Sequence, residues 1–283
     1  MPKTKWKPFP HPDKAYLYAG DVLAQHWDRL HQGDREPLPS VAWLKARIAA
    51  HPELKPAGPL EACVEELQEA WRAYHRGDFG AAAEKGEALG LIGANVAAKA
   101  LNIYATYLVE EREEKLRLFL DAARKAEKLQ KAAPDDANAF YLHAQALGRY
   151  SQGISVAKAL AQGLGGKVKH GLETALRIEP RHADAHIAFG AYHAEIVDKI
   201  GGMVASLTYG ASKEAALKHF EEALKLNPSS AIALMEYANA LAMLFGAAKL
   251  KQATALYEQA AKSKPADAME RLDTEAAKAE LEE

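Results

Sequence analysis

The sequence predicts an all-α protein assembled from repeated helix pairs, and three features of its 283 residues support this. The chain is rich in Ala, Leu, Glu and Lys, which are strong helix formers. Stretches in which β-branched or aromatic residues alternate with polar ones, as strands require, are almost missing. One phrase with helical periodicity recurs at long intervals, each time ending at a proline.

The recurring phrase reads LETALRIEP at 172–180, FEEALKLNP at 220–228 and YEQAAKSKP at 257–265. Each copy has Ala five residues before the proline, a bulky residue eight before it and a small or branched residue twelve before it. Steps of four and three place these positions on one helix face. Because proline cannot continue a helix, we expect each helix to end there and a turn to follow.

This pattern resembles the second helix of a tetratricopeptide repeat, and the helices that follow the prolines agree in part. Phe189-Gly190 and Tyr237-Ala238 stand where that family places its Leu-Gly contact pair. Upstream, AWRAYHRGDFGAAAEKGEAL resembles the family's aromatic-rich first helix, its Gly-Asp-aromatic turn and its Ala-rich second helix. The resemblance covers residues 61–265.

The repeats are longer than is usual for that family. The equivalent small positions are 82, 122, 168, 216 and 253, so the spacings are 40, 46, 48 and 37 residues, against a usual period of ~34. Most of the excess falls in two Gly-rich insertions with apolar residues, 151–171 and 197–214. We expect these insertions to be lengthened helices with an ordered turn.

Long connections of this kind, together with the phrase VAS…SKEAALKHFEEA, resemble a narrower group. That group is the regulator-of-microtubule-dynamics family with its bacterial relatives. The helical partner subunit of some tripartite periplasmic transporters is similar in the same way.

The resemblance implies a TPR-like right-handed superhelical solenoid of about five helix pairs. A repeat array exposes an apolar face at each end unless it is capped. We therefore divide the chain into an N-terminal helical cap at 1–58, a repeat array at 59–265 and a C-terminal capping helix at 266–283. Within the first segment, DKAYLYAGDVLAQHWDRLH and PSVAWLKARIAAH are expected to form two amphipathic helices.

Charge and hydropathy give no reason to expect a nucleic acid or a membrane span. The net charge is −2, so no strong basic field is present. No apolar run of signal-peptide length begins the chain, and no stretch approaches the ~18 apolar residues that a span requires. We therefore expect a cytoplasmic protein. Its single cysteine, Cys63, excludes an internal disulfide.

Catalytic chemistry is not indicated by the sequence. His182 and His186 are four residues apart on one predicted helix, so they are weak metal candidates. The residues between them are Ala, Asp and Ala, which excludes the His-Glu-x-x-His pattern of zinc proteases. His182 is expected to cap its helix. With no recognisable Ser/His/Asp or Cys/His set, we expect no enzyme activity and no cofactor.

In tetratricopeptide proteins the first helix of each repeat lines a concave groove. The resemblance implies that three predicted helices of this chain line such a groove. Asn and Gln amides can pair with a peptide backbone, Arg can hold a carboxylate, and Tyr and Met offer adaptable apolar contacts. The basic clamp typical of chaperone-tail binders is incomplete. The implied groove residues are Asn138, Tyr141, Gln145, Arg149, Asp184, Ile187, Glu195, Met235 and Asn239.

The function predicted from the sequence is therefore a non-enzymatic scaffold that binds another protein, as a peptide or helical segment, in this groove. The alternative is a small-ligand or metal-binding module whose cavity is closed by the two insertions.

Overall fold

A computed structural model describes residues 4–11 and 15–282, and every regular element in that part of the chain is helical. The predicted all-α fold is thus confirmed. The chain divides into two compact units. The first comprises Met1–Arg29 and Glu36–Ile154, and the second comprises Leu30–Arg35 and Ser155–Glu283.

The first unit is built from helices that pack in sequence-adjacent pairs. Its elements are α1 (Val22–Leu30, whose last residue belongs to the second unit), α2 (Val41–Ala50), a 3-10 turn (Pro52–Leu54), α3 (Leu60–His75), α4 (Phe79–Ala88), α5 (Ala94–Tyr107), α6 (Arg112–Ala132) and α7 (Ala137–Gln152). Helix α3 packs on α4, α5 on both α4 and α6, and α7 on α5 and α6.

Several helices of the first unit begin at a polar side chain that caps the first turn. The Ser40 hydroxyl accepts from Trp43 N at 3.1 Å at the start of α2. The Asp78 carboxylate starts α4 in the same way, and Asp136 starts α7. A cap of this kind satisfies one of the amide donors that an isolated helix end leaves unpaired, which fixes where the helix begins.

The second unit repeats this arrangement with shorter helices inserted. Its helices are α8 (Val156–Ala161), α9 (Leu164–Ile178), α10 (Ala183–Ile200), α11 (Gly202–Tyr209), α12 (Lys213–Leu226), α13 (Ala231–Phe245), α14 (Leu250–Ala261) and α15 (Ala268–Glu280), with a 3-10 turn at Gly246–Lys249. Helix α10 packs against α9, α12 and α13, and α13 pairs with α14. In the described part of the chain the repeats begin with α3, α5, α7, α10 and α13, the number that the repeat spacing predicts.

The recurring positions form the packed core, as predicted. The small residues twelve before each proline, or at the equivalent offset, are buried: Ala82, Ala122, Val168, Ala216 and Ala253. The prolines act as expected, since α9 and α12 each end two residues before one.

The Leu-Gly-like pair of α10 shows why a small residue is needed there. A Cβ placed on Gly190 would lie 2.8 Å from the ring of Phe220 on α12. Phe220 has no exposed surface and stacks on Tyr237 with ring centroids 5.3 Å apart. The bulky position of one helix thus fills the space left by a glycine on its neighbour.

The two insertions differ from the prediction of lengthened helices. Helix α10 does extend to Ile200, but each insertion also forms a separate short helix, α8 or α11. Glycines with positive φ cause the breaks: Gly163 at 63°, Gly201 at 78° and Gly210 at 65°. Residues with a side chain rarely adopt this conformation, so the helix ends at such a glycine and restarts in a new direction.

One described stretch, Ala231–Ala261, is long and apolar enough to match a membrane span by length and composition. It consists of two helices, α13 and α14, and Gly246 between them has a φ of 53°. The two helices pack against each other, and half of the most apolar window is buried. Packing between the two helices accounts for the buried half of this apolar stretch.

Candidate functional site

The predicted binding residues of α7 lie on one side of that helix but differ in accessibility. Asn138 and Tyr141 are buried, whereas Gln145 and Arg149 are half-buried. The Gln145 amide donates to the Tyr141 hydroxyl at 3.0 Å. These two polar groups are therefore already paired within the helix, and Gln145 and Arg149 are the more accessible members of the set.

Asn138 holds a carboxylate from the N-terminal part of the same unit. Glu36 is 8% exposed, and its Oε2 atom accepts from Asn138 Nδ2 at 2.6 Å and from Asn95 Nδ2 at 3.2 Å. Hydrogen bonds to a carboxylate are stronger than those between neutral groups. We call these three residues the Glu36 clamp. It joins the first helices α5 and α7 to a residue far away in the chain.

The Asn95 member of the clamp belongs to a buried polar row on α5. Asn95, Lys99 and Asn102 follow each other at steps of four and three, so they share one face of a helix that is otherwise Ala-rich. Asn102 Nδ2 donates to Gln145 Oε1 at 2.9 Å, and Lys99 Nζ lies 5.6 Å from the ring centre of Tyr74. Sequence reasoning missed this row, although three polar residues at same-face spacing in ANVAAKALNIYATY were a usable signal.

The segment that carries Glu36 lies along the first helices of the first unit. Trp27 meets Trp71 of α3 edge to face, with ring centroids 5.9 Å apart. Arg72 of α3 donates to the backbone carbonyls of Tyr18 at 3.2 Å and Gly20 at 3.0 Å. The first helices therefore contact a stretch of polypeptide through aromatic packing, backbone hydrogen bonds and a clamped carboxylate.

The predicted binding residues of the second unit fall into two groups. Ile187 and Met235 are buried, so they belong to the packing between helices. Asp184 and Glu195 on α10 and Asn239 on α13 are half-buried. Only this second group presents polar atoms to solvent.

All three polar residues make contacts within the unit, and that of Glu195 is with Lys199 Nζ at 3.2 Å. The backbone nitrogen of Asp184 donates to Gly33 O at 3.1 Å, which places residues 30–35 at the beginning of α10. Asn239 Oδ1 accepts from the hydroxyl of Tyr257 on α14. Burial raises the pKa of the Tyr257 hydroxyl to about 12, so the group remains a donor near neutral pH.

The two histidines considered as metal ligands do not converge on one point. His182 is buried and caps α10, because its Nδ1 accepts from Ala185 N at 3.1 Å. The Nδ1 of His186 instead lies 2.8 Å from the Nδ1 of His219 on α12, and its Nε2 lies 3.2 Å from Pro180 O. In the described part of the chain, no group of three potential ligands is placed to hold a metal ion.

His186 is part of a histidine cluster that packs α10 against α12. His193 stacks on Phe189 at 4.7 Å and on His219 at 5.6 Å between ring centres. Burial, together with the nearby charge of Lys169, lowers the pKa of His193 to about 4. Burial also lowers the pKa of His219 to about 4, with His186 and His193 contributing. Near neutral pH the cluster is uncharged and behaves as aromatic core.

An open cleft of about 530 Å³ lies in the first unit, beside α3. Two arginines and two glutamates contribute to its lining, and Arg76 is bound to Glu69 at 2.8 Å. The lining residues are Leu17, Ala19, Gly20, Asp21, Glu65, Gln68, Glu69, Arg72 and Arg76. The insertions at 151–171 and 197–214 contribute no residue to this lining.

A model of the family described as "Regulator of microtubule dynamics protein 1-3" matches residues 94–283, which is about two thirds of the chain and spans α5 to α15. The chain belongs to the regulator of microtubule dynamics family. No curated protein matches the sequence.

A solved structure shows the same fold. A thermophilic TPR protein of Thermus thermophilus, TTC0263, is 17% identical with a TM-score of 0.55, and the match covers 77% of this chain and 99% of that one. The MamA protein is 15% identical with a TM-score of 0.38, covering 79% of this chain and 97% of that one. The family and TTC0263 place the chain among TPR-like proteins, whose stacked helix pairs serve as interaction scaffolds.

Proposed function

We propose that this protein is a scaffold that binds a segment of another polypeptide along the first helices of its repeats. The observation that carries the proposal is the Glu36 clamp, in which two first helices hold a carboxylate from a distant segment. The same set of first helices donates hydrogen bonds to backbone carbonyls of that segment. The chain thus uses these helices for the contacts that peptide recognition requires.

The first helices of the second unit are the proposed site for a partner. Glu195 on α10 and Asn239 on α13 are half-buried, and helices α10 and α13 pack side by side. Glu195 accepts from Lys199 Nζ at 3.2 Å, an exposed pair one helical turn apart that costs little to separate. A partner segment with a basic side chain could replace Lys199 there, while Asn239 pairs with its backbone.

Photo-cross-linking tests this assignment. A photoreactive amino acid would replace Glu195 or Asn239 in the full chain, with Glu258 on α14 as the matched control. Glu258 also pairs with a lysine four residues later, Lys262, but it lies on a second helix. We expect positions 195 and 239 to cross-link the same polypeptide in lysate of the host, and position 258 to give no cross-link to it.

The family description names microtubules, so polymerised tubulin is the first purified polypeptide to test by co-sedimentation. Cross-links of equal yield at all three positions would refute binding on the first helices. Native mass spectrometry of the captured protein distinguishes the scaffold from the alternative function. A small added mass without a bound polypeptide would indicate a module that binds a small ligand or metal.

A further inference from the structure

The two inserted helices expose large apolar side chains to solvent. Helix α8 buries none of its residues, and α11 buries only Ala205. The exposed apolar residues, with their exposed fractions, are Val156 (46%), Leu160 (52%), Met203 (79%), Val204 (51%) and Leu207 (83%). We call these five residues the insertion surface. Clusters of exposed apolar residues that the core does not need usually mark an interaction site.

Helix α11 places its apolar residues on one face. Met203, Val204 and Leu207 lie at positions i, i+1 and i+4, which project to the same side. The opposite side anchors the helix: Ala205 is buried and its carbonyl accepts from Ala211 N at 3.1 Å. The exposed face is therefore held outward by the fold, so these side chains are presented to solvent by an ordered helix.

Both short helices are joined to α9. Helix α8 packs on α9, and a Cβ placed on Gly165, in the first turn of α9, would lie 2.9 Å from the ring of Tyr209, which ends α11. The close approach at Gly165 shows that the end of α11 lies against the start of α9. The members of the insertion surface thus flank one helix within the second unit.

Basic residues accompany the insertion surface along the chain. Residues 150–172 contain three lysines and no acidic residue, and residues 199–213 contain two lysines and no acidic residue, although the whole chain has a net charge of −2. Lys158 and Lys167, in the first of these stretches, are exposed. The acidic residues next to these two stretches are Glu173, which lies 3.7 Å from Lys169, Glu195, which pairs with Lys199, and the exposed Asp198 and Glu214.

We propose that the insertion surface docks on the surface of an anionic lipid bilayer. Met203 and Leu207 are about four-fifths exposed, so they protrude instead of lining a groove. Protruding apolar side chains can enter the boundary between headgroups and acyl chains without a shape-matched pocket. Exposed lysines beside them are attracted to anionic headgroups. The combination of protruding apolar residues and lysines complements this kind of membrane.

Vesicle flotation with the full-length protein tests the proposal. One set of vesicles contains phosphatidylcholine alone, and the other contains three parts phosphatidylcholine to one part phosphatidylglycerol. We expect the protein to float with the anionic vesicles and not with the neutral ones. Binding should fall as the salt concentration rises, because salt screens the attraction between lysines and headgroups.

Variants then locate the contact. The double change Met203→Ser and Leu207→Ser should lower the partition coefficient at least tenfold, since it removes the inserted apolar groups. The changes Lys158→Gln and Lys167→Gln should each lower it about fivefold. Leu250→Ser on α14, where the leucine is 58% exposed, is the matched apolar control and should bind like the original protein. Because all these side chains are exposed, circular dichroism should show unchanged helix content.

Three results would overturn the proposal. Equal flotation with neutral and anionic vesicles would exclude recognition of charge. Unchanged binding of the double serine variant would exclude the insertion surface as the contact. A concentration-dependent dimer that the same variant abolishes, in the absence of vesicle binding, would assign the surface to a second copy of the chain.

Discussion

Replacement of Glu36 tests whether the Glu36 clamp stabilises the first unit. In Glu36→Ala, the amides of Asn138 and Asn95 lose this shared acceptor while they remain about 94% buried, and Asn95 Nδ2 keeps its bond to Asp136 Oδ1 at 3.2 Å. A hydrogen bond to a charged group contributes about 1.5–3 kcal/mol, and release of the buried carboxylate offsets part of the loss of the two bonds. We expect a loss of about 2–4 kcal/mol from the free energy of unfolding.

Glu36→Gln separates the loss of charge from the loss of the acceptor. The amide oxygen of glutamine can still accept from Asn138, so this variant should lose only about 1 kcal/mol. Glu53→Ala in the exposed 3-10 turn is the control, and its effect should stay within about 0.5 kcal/mol. Urea unfolding followed by circular dichroism measures all three. If Glu36→Ala unfolds at the same urea concentration as the control, the clamp does not contribute to stability.

Two further predictions concern packing and pH. Gly190→Ala should destabilise the protein by about 1–3 kcal/mol, because the new methyl group meets Phe220. Gly148→Ala is the control: a Cβ there has no atom within 4 Å, so this change should stabilise α7 by about 0.5–1 kcal/mol. Equal shifts of the melting temperature in the two variants would contradict the close packing of Gly190 on Phe220. The folded-state pKa values of about 4 for His193 and His219 lie below the usual ~6.5 of the unfolded chain. The unfolded state therefore binds more protons, and stability should fall as the pH decreases from about 6.5 to about 4. His193→Phe should flatten this dependence in urea titrations at several pH values, and an unchanged slope would show that this histidine does not titrate as described.

Much of the fold could be predicted from the sequence because it repeats. Ala82, Ala216 and Ala253 recur at equivalent offsets, and each is buried because the two helices of every repeat pack in the same way. The prolines could be interpreted because their effect on a helix is local. The insertions were harder to predict, since the positive φ of Gly163 and Gly201 depends on surrounding structure that a glycine alone does not reveal.

The predicted binding residues show the limit of a resemblance. Asn138 was selected from its place in the repeat, yet its partner is Glu36, which lies 102 residues away in a segment that does not repeat. No periodicity connects these two positions, so only the folded chain reveals the clamp. The prediction that Asn138 and Tyr141 bind a partner stays a prediction, but their burial makes them poor sites for mutation. Arg149→Ala is the better test on α7, because this side chain is half-exposed.

The Glu36 clamp also affects where a partner segment can bind. A segment that used the amides of Asn95 and Asn138 would first have to displace Glu36, and a displacement cost of about 2–4 kcal/mol lowers affinity about 30- to 1000-fold. At Glu195 on α10 the corresponding cost is lower, because its pair with Lys199 is partly exposed and lies within one helical turn. A partner of ordinary affinity should therefore bind first to α10 and α13. The first helices of the first unit become available only to a segment whose own carboxylate replaces that of Glu36.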